Sequence, residues 1–212
     1  MIIKICGLTQ LEESITTAEL GADMLGFNFY SKSLRFISPA KCAKITKSLR
    51  SKFSKLLLVG VFVNAEVAEI RSILEECDLD LAQLSGDEPP AVLLALGGQA
   101  FKALRPENSV SLNQSLGIFP LRRSSPLFLI DSYRKDDFGG TGQRADWSMA
   151  SQVASRYPIM LAGGLTPENV ANAIRQVHPW GVDVASGVEK SPAVKDLGKI
   201  EAFIQNVRTA QS

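Results

Sequence analysis

The first strand-to-helix unit of the chain reads Ile2-Ile3-Lys4-Ile5-Cys6-Gly7-Leu8-Thr9. Its isoleucines favour a β-strand, Gly7 favours a tight turn, and Thr9 with Glu12 predicts a helix capping box. We therefore expect Cys6 at the carboxyl end of a strand, where α/β proteins build their active sites. A buried structural cysteine is the alternative, because a free cysteine also behaves as a small hydrophobic residue.

This alternation of apolar runs and amphipathic stretches continues along the chain. Apolar runs predict strands at 2–6, 24–29, 56–63, 79–84, 100–104, 127–131, 159–162 and 181–185. Amphipathic stretches predict helices at 11–20, 39–49, 65–76, 91–96, 148–155, 166–176 and 196–207. The interval 106–126 is too polar to predict a helix between the fifth and sixth strands. Eight units without a composition break predict a single α/β domain over 1–212, a (β/α)8 TIM barrel, with a doubly wound open sheet as the alternative.

Composition and charge limit the class of partner. The chain has 212 residues, 45% of them hydrophobic, and 23 basic side chains against 22 acidic ones. A net charge of +1 offers no positive surface for nucleic acid or an anionic membrane, so we expect a small-molecule partner and neither of those two. The sequence opens without a signal-peptide pattern, and no run approaches the roughly 18 apolar residues of a membrane span. We therefore expect a cytoplasmic protein.

Cysteine and histidine usage bears on redox state and metal binding. Cys6, Cys42 and Cys77 are odd in number and widely spaced, which favours reduced thiols over a disulfide framework. With His178 as the single histidine, a zinc site would need mostly carboxylates, so we expect no metal. Cys42, Cys77 and His178 fall in or beside predicted helices, away from the strand ends, and we interpret them as structural.

Two glycine-containing turns follow the seventh and eighth predicted strands, at Gly163-Gly164 and Ser186-Gly187. Glycines let backbone N–H groups approach an anion closely, and a helix predicted to start near Thr166 would add its positive end. Because phosphate-binding barrels use these two loops, the turns predict a phosphate site. An ordinary strand-to-helix turn is the alternative for each. The P-loop pattern G-x-x-x-x-G-K-[ST] and the dinucleotide pattern G-x-G-x-x-G do not occur, which argues against both nucleotide classes.

An ordered series of motifs across the whole chain resembles one family, phosphoribosylanthranilate isomerase. The motifs are Lys4-Ile5-Cys6-Gly7-Leu8-Thr9, Gly26-Phe27-Asn28-Phe29-Tyr30, Ser33-Leu34-Arg35-Phe36-Ile37-Ser38-Pro39, Gly60-Val61-Phe62-Val63-Asn64, Gly139-Gly140-Thr141-Gly142, Ala162-Gly163-Gly164-Leu165-Thr166-Pro167-Glu168-Asn169-Val170 and Gly187-Val188-Glu189. The resemblance implies a (β/α)8 barrel without a cofactor. Its implied reaction converts N-(5-phosphoribosyl)anthranilate to 1-(2-carboxyphenylamino)-1-deoxyribulose 5-phosphate in tryptophan biosynthesis.

That reaction is an Amadori rearrangement, which needs a general acid to open the furanose ring and a general base to remove the C2 proton. The resemblance implies that Asp131 is the acid and Cys6 is the base. Asp131 ends an apolar predicted strand, where partial desolvation would raise its pKa toward that of a usable acid. Capping of the following turn is the alternative role for Asp131.

The resemblance also implies a set of substrate contacts. Arg35 would hold the anthranilate carboxylate through two parallel hydrogen bonds, with a solvated surface arginine as the alternative. Gly140 and Gly142, in the loop after the sixth strand, would contact the substrate. Asp183 matches a family aspartate near the substrate, but strand alternation equally allows an ion pair with Lys4 on the neighbouring first strand. The sequence leaves both interpretations of Asp183 open.

The chain departs from the family pattern in four places. Two are segments: Lys-Thr-Phe-Asp-Trp appears as Gln143-Arg144-Ala145-Asp146-Trp147, and Ser-Pro-Gly-Val-Lys-Asp appears as Ser191-Pro192-Ala193-Val194-Lys195-Asp196. The other two are single positions. Ser85 stands where the family commonly has histidine, at the catalytic end of the fourth strand, and Ala185 stands where it commonly has serine. We expect Ser85 to contact the substrate, and we expect its presence in place of histidine to affect the catalytic efficiency. Another phosphosugar isomerase or epimerase, or a non-catalytic binding or assembly subunit, remains as an alternative. We expect a monomer or homodimer, with contacts to neighbouring tryptophan-pathway enzymes as a further expectation.

Overall fold

Eight parallel strands form a closed barrel in which the first and last strands pair with each other. The structure is a computed structural model, and it describes residues 1–131 and 146–210. The barrel strands are β1 (Ile2–Cys6), β2 (Met24–Asn28), β3 (Leu57–Phe62), β4 (Leu81–Leu84), β5 (Ala100–Leu104), β6 (Phe128–Ile130), β7 (Ile159–Leu161) and β8 (Gly181–Val184). Pairing of β1 with β8 confirms the predicted (β/α)8 barrel and excludes the open sheet.

The helices follow the strands and cover the outside of the barrel. They are α1 (Leu11–Glu19), α2 (Pro39–Arg50), α3 (Val67–Glu76), α4 (Pro90–Leu96), α5 (Ser109–Ile118), α6 (Trp147–Ala154), α7 (Val170–Val177) and α8 (Leu197–Thr209). A short hairpin, β9 (Glu189–Ser191) with β10 (Val194–Lys195), lies between β8 and α8. None of the described helices is long and apolar enough to cross a membrane.

Helix α5 corrects the expectation that 106–126 holds no helix. Asn108 starts it, because its side chain accepts hydrogen bonds from the backbone N–H groups of Val110 and Ser111. The Ser111 hydroxyl in turn accepts from the Asn108 backbone N–H, which completes a capping box. Leu112 is the one buried residue of α5. The start signal therefore lies in polar capping, whereas the weak apolar pattern concealed the helix.

Two predicted helix starts are also wrong. Helix α1 has Gln10 as its N-cap, without a side-chain capping bond, so the predicted Thr9 capping box does not form. Helix α7 begins at Val170 rather than near Thr166. There the Asn169 side chain accepts from the Thr166 N–H and donates to the Gly164 carbonyl, which closes a turn ahead of the helix.

The buried apolar residues form two separate layers on either side of the barrel wall. The larger cluster packs the outward faces of the strands against the helices. The smaller one fills the barrel interior and consists of Met24, Val59, Leu81, Phe101, Ala103, Leu129, Met160 and Ala162. Because strand side chains alternate between faces, the inward residue two positions later reaches the carboxyl end of the same strand. The interior cluster thus supports the floor of a site at that end.

Candidate active site

One cavity at the carboxyl ends of the strands brings together the sequence-predicted residues that the structure describes. It is lined by Cys6, Arg35, Ser85, Asp131, Gly163, Gly164, Asp183, Ser186 and Gly187. They come from six different strand ends or loops, so only the closed barrel brings them to one place. Gly140 and Gly142 lie outside the described residues.

Cys6 lies at the end of β1 and is 8% exposed. Gly26 makes room for it, because a Cβ at that glycine would lie 2.7 Å from the Cys6 Sγ. Burial raises the pKa of the Cys6 thiol, the nearby Lys4 and Lys195 lower it, and Asp183 adds to the rise. Burial has the larger effect, so the uncharged thiol is favoured at neutral pH in this state.

Lys4 and Asp183 form an ion pair inside the barrel, immediately below Cys6. The two residues are direct partners in the β1–β8 register, and Lys4 Nζ lies 3.0 Å from Asp183 Oδ1. Burial alone would lower the pKa of Lys4, but Asp183 and then Cys6 outweigh it and raise that pKa. The ion pair suggested by strand alternation is present. Asp183 also lines the cavity, so its two interpretations are compatible.

Asp131 follows β6 directly and is held there by its backbone, whose N–H donates to the Leu104 carbonyl at 2.9 Å. Its half-buried side chain lines the same cavity as Cys6. The turn that Asp131 would cap in its alternative role falls on residues outside the described part of the chain. The position at a strand end is the one that the sequence predicts.

Arg35 reaches the cavity from the loop after β2, and its guanidinium pairs with Glu189. Arg35 Nε donates to Glu189 Oε1 at 2.7 Å, and the NH2 nitrogen donates to Oε2 at 2.8 Å. Lys195 Nζ also donates to Glu189 Oε1, at 3.0 Å. Sequence reasoning quoted Glu189 in a motif but gave it no role. Its signal was an acidic residue two positions after the predicted phosphate-binding Gly187.

The two predicted phosphate turns lie against each other. Gly163 and Gly164 have φ values of +85° and +63°, which side chains rarely adopt. A Cβ at Gly187 would overlap the carbonyl of Leu165, so only glycine allows this approach of the β8 loop to the β7 loop. The predicted N-terminus of α7 near Thr166, beside this turn, is wrong, because α7 begins at Val170. A 3₁₀ turn over Ser186–Val188 instead follows β8.

The inward side chains of β4 form a polar pair that sequence reasoning described only in part. Gln83 Nε2 donates to Ser85 Oγ at 3.1 Å, and both residues are buried in the cavity wall. Within the described residues, Gln83 Oε1 is buried without a hydrogen-bond partner. The two-residue spacing from Ser85 places Gln83 on the same face, and this signal was available in the sequence.

No group of three or more His, Cys, Asp or Glu side chains in residues 1–131 and 146–210 is placed to hold a metal ion. Cys42 and Cys77 are buried beside each other outside the barrel, and their contact together with burial raises the pKa of Cys42. His178 ends α7 in a left-handed conformation. None of these three residues lines the cavity around Cys6.

Residues 3–206 match the family model of N-(5'phosphoribosyl)anthranilate (PRA) isomerase. The chain belongs to the PRA isomerase family. An N-(5'-phosphoribosyl)anthranilate isomerase from Roseiflexus castenholzii is 45% identical over 215 residues, which cover 99% of both chains. One from Geobacter sp. is 41% identical and covers 97% of both.

Solved structures of PRA isomerases have the same fold as this chain. The phosphoribosyl anthranilate isomerase of Thermotoga maritima superposes with a TM-score of 0.87 at 36% identity, over 99% of this chain and 100% of that one. Another PRA isomerase structure, solved in complex with reduced 1-(o-carboxyphenylamino)-1-deoxyribulose 5-phosphate, gives a TM-score of 0.84 at 35% identity, with 99% and 100% covered.

Two of the departures from the PRA isomerase pattern, Ser85 and Ala185, lie in the cavity wall. Ser85 carries no charge, and among the described residues Lys4 and Lys195 are the cations that lower the pKa of Cys6. The Ala185 carbonyl accepts a hydrogen bond from Lys195 Nζ at 2.9 Å, so this position contributes through its backbone. The loss of a serine hydroxyl at 185 therefore leaves the local backbone contact in place.

Proposed function

We propose that this chain converts N-(5-phosphoribosyl)anthranilate to 1-(2-carboxyphenylamino)-1-deoxyribulose 5-phosphate, with Asp131 as general acid and Cys6 as general base. The proposal is carried by one observation: a carboxyl and a thiol from β6 and β1 line one cavity, which also holds an arginine and two glycine turns. An Amadori rearrangement needs one acid and one base on the same sugar, and these two groups suffice.

Asp131 acts first in the proposed sequence. Its carboxyl protonates the furanose ring oxygen, the C1–O bond breaks, and the anthranilate nitrogen lone pair forms an iminium. The half-buried position of Asp131 at a strand end limits its exposure to water, as a general acid requires.

Cys6 then removes the proton from C2, and the electron pair moves to neutralise the iminium and form an enolamine. Tautomerisation of the enolamine gives the ketone product. The active form of Cys6 is the thiolate, which burial disfavours and the Lys4 ammonium favours. We therefore expect kcat/KM to rise with pH, with a midpoint at the thiol pKa, which lies above its ordinary value.

The two ends of the substrate have separate binding groups in this proposal. The phosphate binds at Gly163, Gly164, Ser186 and Gly187, where backbone N–H groups can approach an anion. The anthranilate carboxylate binds Arg35. Ser85 and Asp183 line the cavity and contact the sugar. Gly140 and Gly142 contact the substrate, as the family resemblance implies.

The wider setting follows from the reaction. We propose a single catalytic domain over residues 1–212, acting in tryptophan biosynthesis in the cytoplasm, where Cys6, Cys42 and Cys77 remain free thiols. Its partner is the phosphorylated sugar-anthranilate substrate. We further propose a monomer or homodimer that contacts neighbouring enzymes of the pathway; one of the related Thermotoga maritima structures describes monomers generated from a dimeric isomerase.

A coupled assay tests the reaction. N-(5-phosphoribosyl)anthranilate is made in situ because it is short-lived, and the next pathway enzyme converts the product. The proposal expects turnover by the parent and a loss on the order of a hundredfold or more in Asp131→Asn, with product-analogue binding retained. No turnover by the parent, although it binds the product analogue, would instead indicate a non-catalytic binding subunit.

A further inference from the structure

Glu189 lies at the start of the β9–β10 hairpin and takes no step in the proposed reaction. Its side chain is 5% exposed, and both carboxylate oxygens accept hydrogen bonds. Oε1 accepts from Arg35 Nε and from Lys195 Nζ, and Oε2 accepts from the Arg35 NH2 nitrogen and the Ala193 backbone N–H. Four donors from three residues fix this carboxylate in one orientation.

The ion pair also joins two loops across the mouth of the barrel. Arg35 belongs to the loop after β2, and its side chain packs over Gly7, where a Cβ would lie 3.2 Å from Arg35 Cγ. The hairpin that carries Glu189 is itself held, because Lys199 Nζ donates to the Glu189 carbonyl at 2.8 Å and Lys195 Nζ donates to the Ala185 carbonyl. Arg35 is therefore held by a hairpin whose own position is fixed by hydrogen bonds.

The geometry of the pair decides which part of the guanidinium a substrate can use. A guanidinium can receive a carboxylate with two hydrogen bonds along its Nε–NH2 edge or along its NH1–NH2 edge. Glu189 occupies the Nε–NH2 edge. A second carboxylate that binds Arg35 bidentately must then approach the NH1–NH2 edge, and its direction is set by Glu189.

We propose that Glu189 is the positioning residue that makes Arg35 selective for an aryl carboxylate, by fixing the guanidinium so that its NH1–NH2 edge receives that group. This inference rests on the proposed function, because it takes the anthranilate carboxylate to be the ligand of Arg35. Glu189 acts through Arg35 and need not touch the substrate.

The charges agree with this role. Two cations, Arg35 and Lys195, both pair with the single carboxylate of Glu189, so this carboxylate adds no uncompensated negative charge against an incoming anion. Burial alone would raise the pKa of Glu189, but hydrogen bonds from Arg35 and the charge of Lys195 outweigh it and lower that pKa. Glu189 therefore remains ionised, and holds Arg35, throughout the neutral pH range.

The test compares the affinities of two ligands that differ only in the carboxylate. One is reduced 1-(o-carboxyphenylamino)-1-deoxyribulose 5-phosphate, and the other is its phenylamino counterpart without the carboxylate. In Glu189→Gln, the amide keeps the shape but cannot accept both hydrogen bonds, so the preference for the carboxylated ligand should fall about tenfold. Affinity for the decarboxylated ligand should stay unchanged. Arg35→Met should abolish the preference, and adding Glu189→Gln to it should cause no further loss.

Glu88→Gln is the matched control, because it breaks the comparably buried Lys102–Glu88 ion pair at 2.7 Å, whose residues do not line this cavity. It should leave the preference intact. Glu189→Asp, which keeps the charge but is shorter, should lose part of the preference and replaces Glu189→Gln if that variant does not fold. An unchanged preference in the Glu189 variants, or an equal loss for both ligands, overturns the proposal.

Failure of the reaction itself would look different. A parent that turns over N-(5-phosphoribosyl)anthranilate but binds both ligands equally well contradicts the role of Glu189 and leaves the isomerase activity standing. A parent that prefers the carboxylated ligand through Glu189 but shows no turnover supports the role of Glu189 and contradicts the proposed reaction.

Discussion

The two ends of the barrel interior differ in chemistry although the same strands build both. Toward the amino ends the inward residues are apolar, with Phe101, Leu129 and Met160 among those buried there. Toward the carboxyl ends the same alternation presents Cys6 and Asp131. This difference separates stability from function. Apolar packing toward the amino ends holds the strands in register, so the carboxyl ends can carry polar and ionisable groups that contribute less to packing.

The boundary between the two ends is the Lys4–Asp183 ion pair. Lys4 is fully buried and is level with the apolar Met24 in the β1–β2 register. A buried charge is costly to place without a partner, and a pair is weak support for stability. Its position immediately below Cys6 indicates that the pair serves the upper end, where Lys4 favours the thiolate and Asp183 opposes it.

The largest expected effect is on stability, from Phe101→Ala at the lower end. Phe101 is fully buried and lies near Arg122, on the side away from the cavity. Truncation should lower the free energy of unfolding by about 3–5 kcal/mol through lost burial and a cavity. Urea unfolding measures this change. Turnover per folded molecule should stay within about threefold of the parent, because the site above is retained. A large loss of turnover per folded molecule would mean that the two ends are not separable.

Cys6→Ser should do the reverse. Serine has a similar volume but is a far weaker base than a thiolate, so turnover should fall on the order of a hundredfold or more. The free energy of unfolding should change by less than about 1 kcal/mol, because the volume is similar and the serine hydroxyl can keep the hydrogen bond with Lys4. Turnover in the coupled assay and urea unfolding are measured on the same sample. Parent-like turnover would show that Cys6 is not the base.

Lys4→Met tests the boundary. Lys4 lowers the pKa of Cys6 against the effect of burial, so its removal raises that pKa further. The rise of kcat/KM then moves to higher pH. At pH 7, kcat/KM should fall about tenfold for each unit by which the pKa of Cys6 rises. The pH profile measures this directly. Lys4→Met with Asp183→Asn serves as the control, because it also removes the unpaired carboxylate and should recover part of the shift. An unmoved profile would assign the ion pair to stability alone.

The smallest expected effect compares one added charge at the two ends. Ser186→Asp places a carboxylate at the proposed phosphate turn and should weaken inhibition by inorganic phosphate several-fold, through repulsion of the anion. Ser54→Asp adds the same charge in the exposed loop before β3, at the amino end, and should leave the inhibition constant unchanged. Equal inhibition of both variants would place the anion site elsewhere.

The barrel was predictable because its strands carry strong local signals. β1 and β5 have the predicted bounds, and each of the other six strands starts and ends within two residues of its predicted bounds. Helix α5 was missed because its signal is the capping of Asn108 rather than an apolar stripe. The start of α7 was misplaced because the Asn169 side chain closes a turn that spacing alone does not reveal.

The candidate site was predictable to the level of strand ends. Cys6, Ser85 and Asp131 each follow an apolar run, so the barrel places them at one mouth. The pairing of Arg35 with Glu189 joins residues 154 positions apart, and no local pattern indicates which carboxylate meets which arginine. The sequence could therefore name residues of the site, whereas the structure shows which of them pair.

The separation of chemistry from stability is tested most directly by turnover of N-(5-phosphoribosyl)anthranilate per folded molecule, measured in parallel for the parent, Cys6→Ser and Phe101→Ala. We expect the parent and Phe101→Ala to turn over at similar rates, with Cys6→Ser slower on the order of a hundredfold or more. A parent without turnover, or a Phe101→Ala variant as slow per folded molecule as Cys6→Ser, would contradict the assignment of chemistry to the carboxyl end alone.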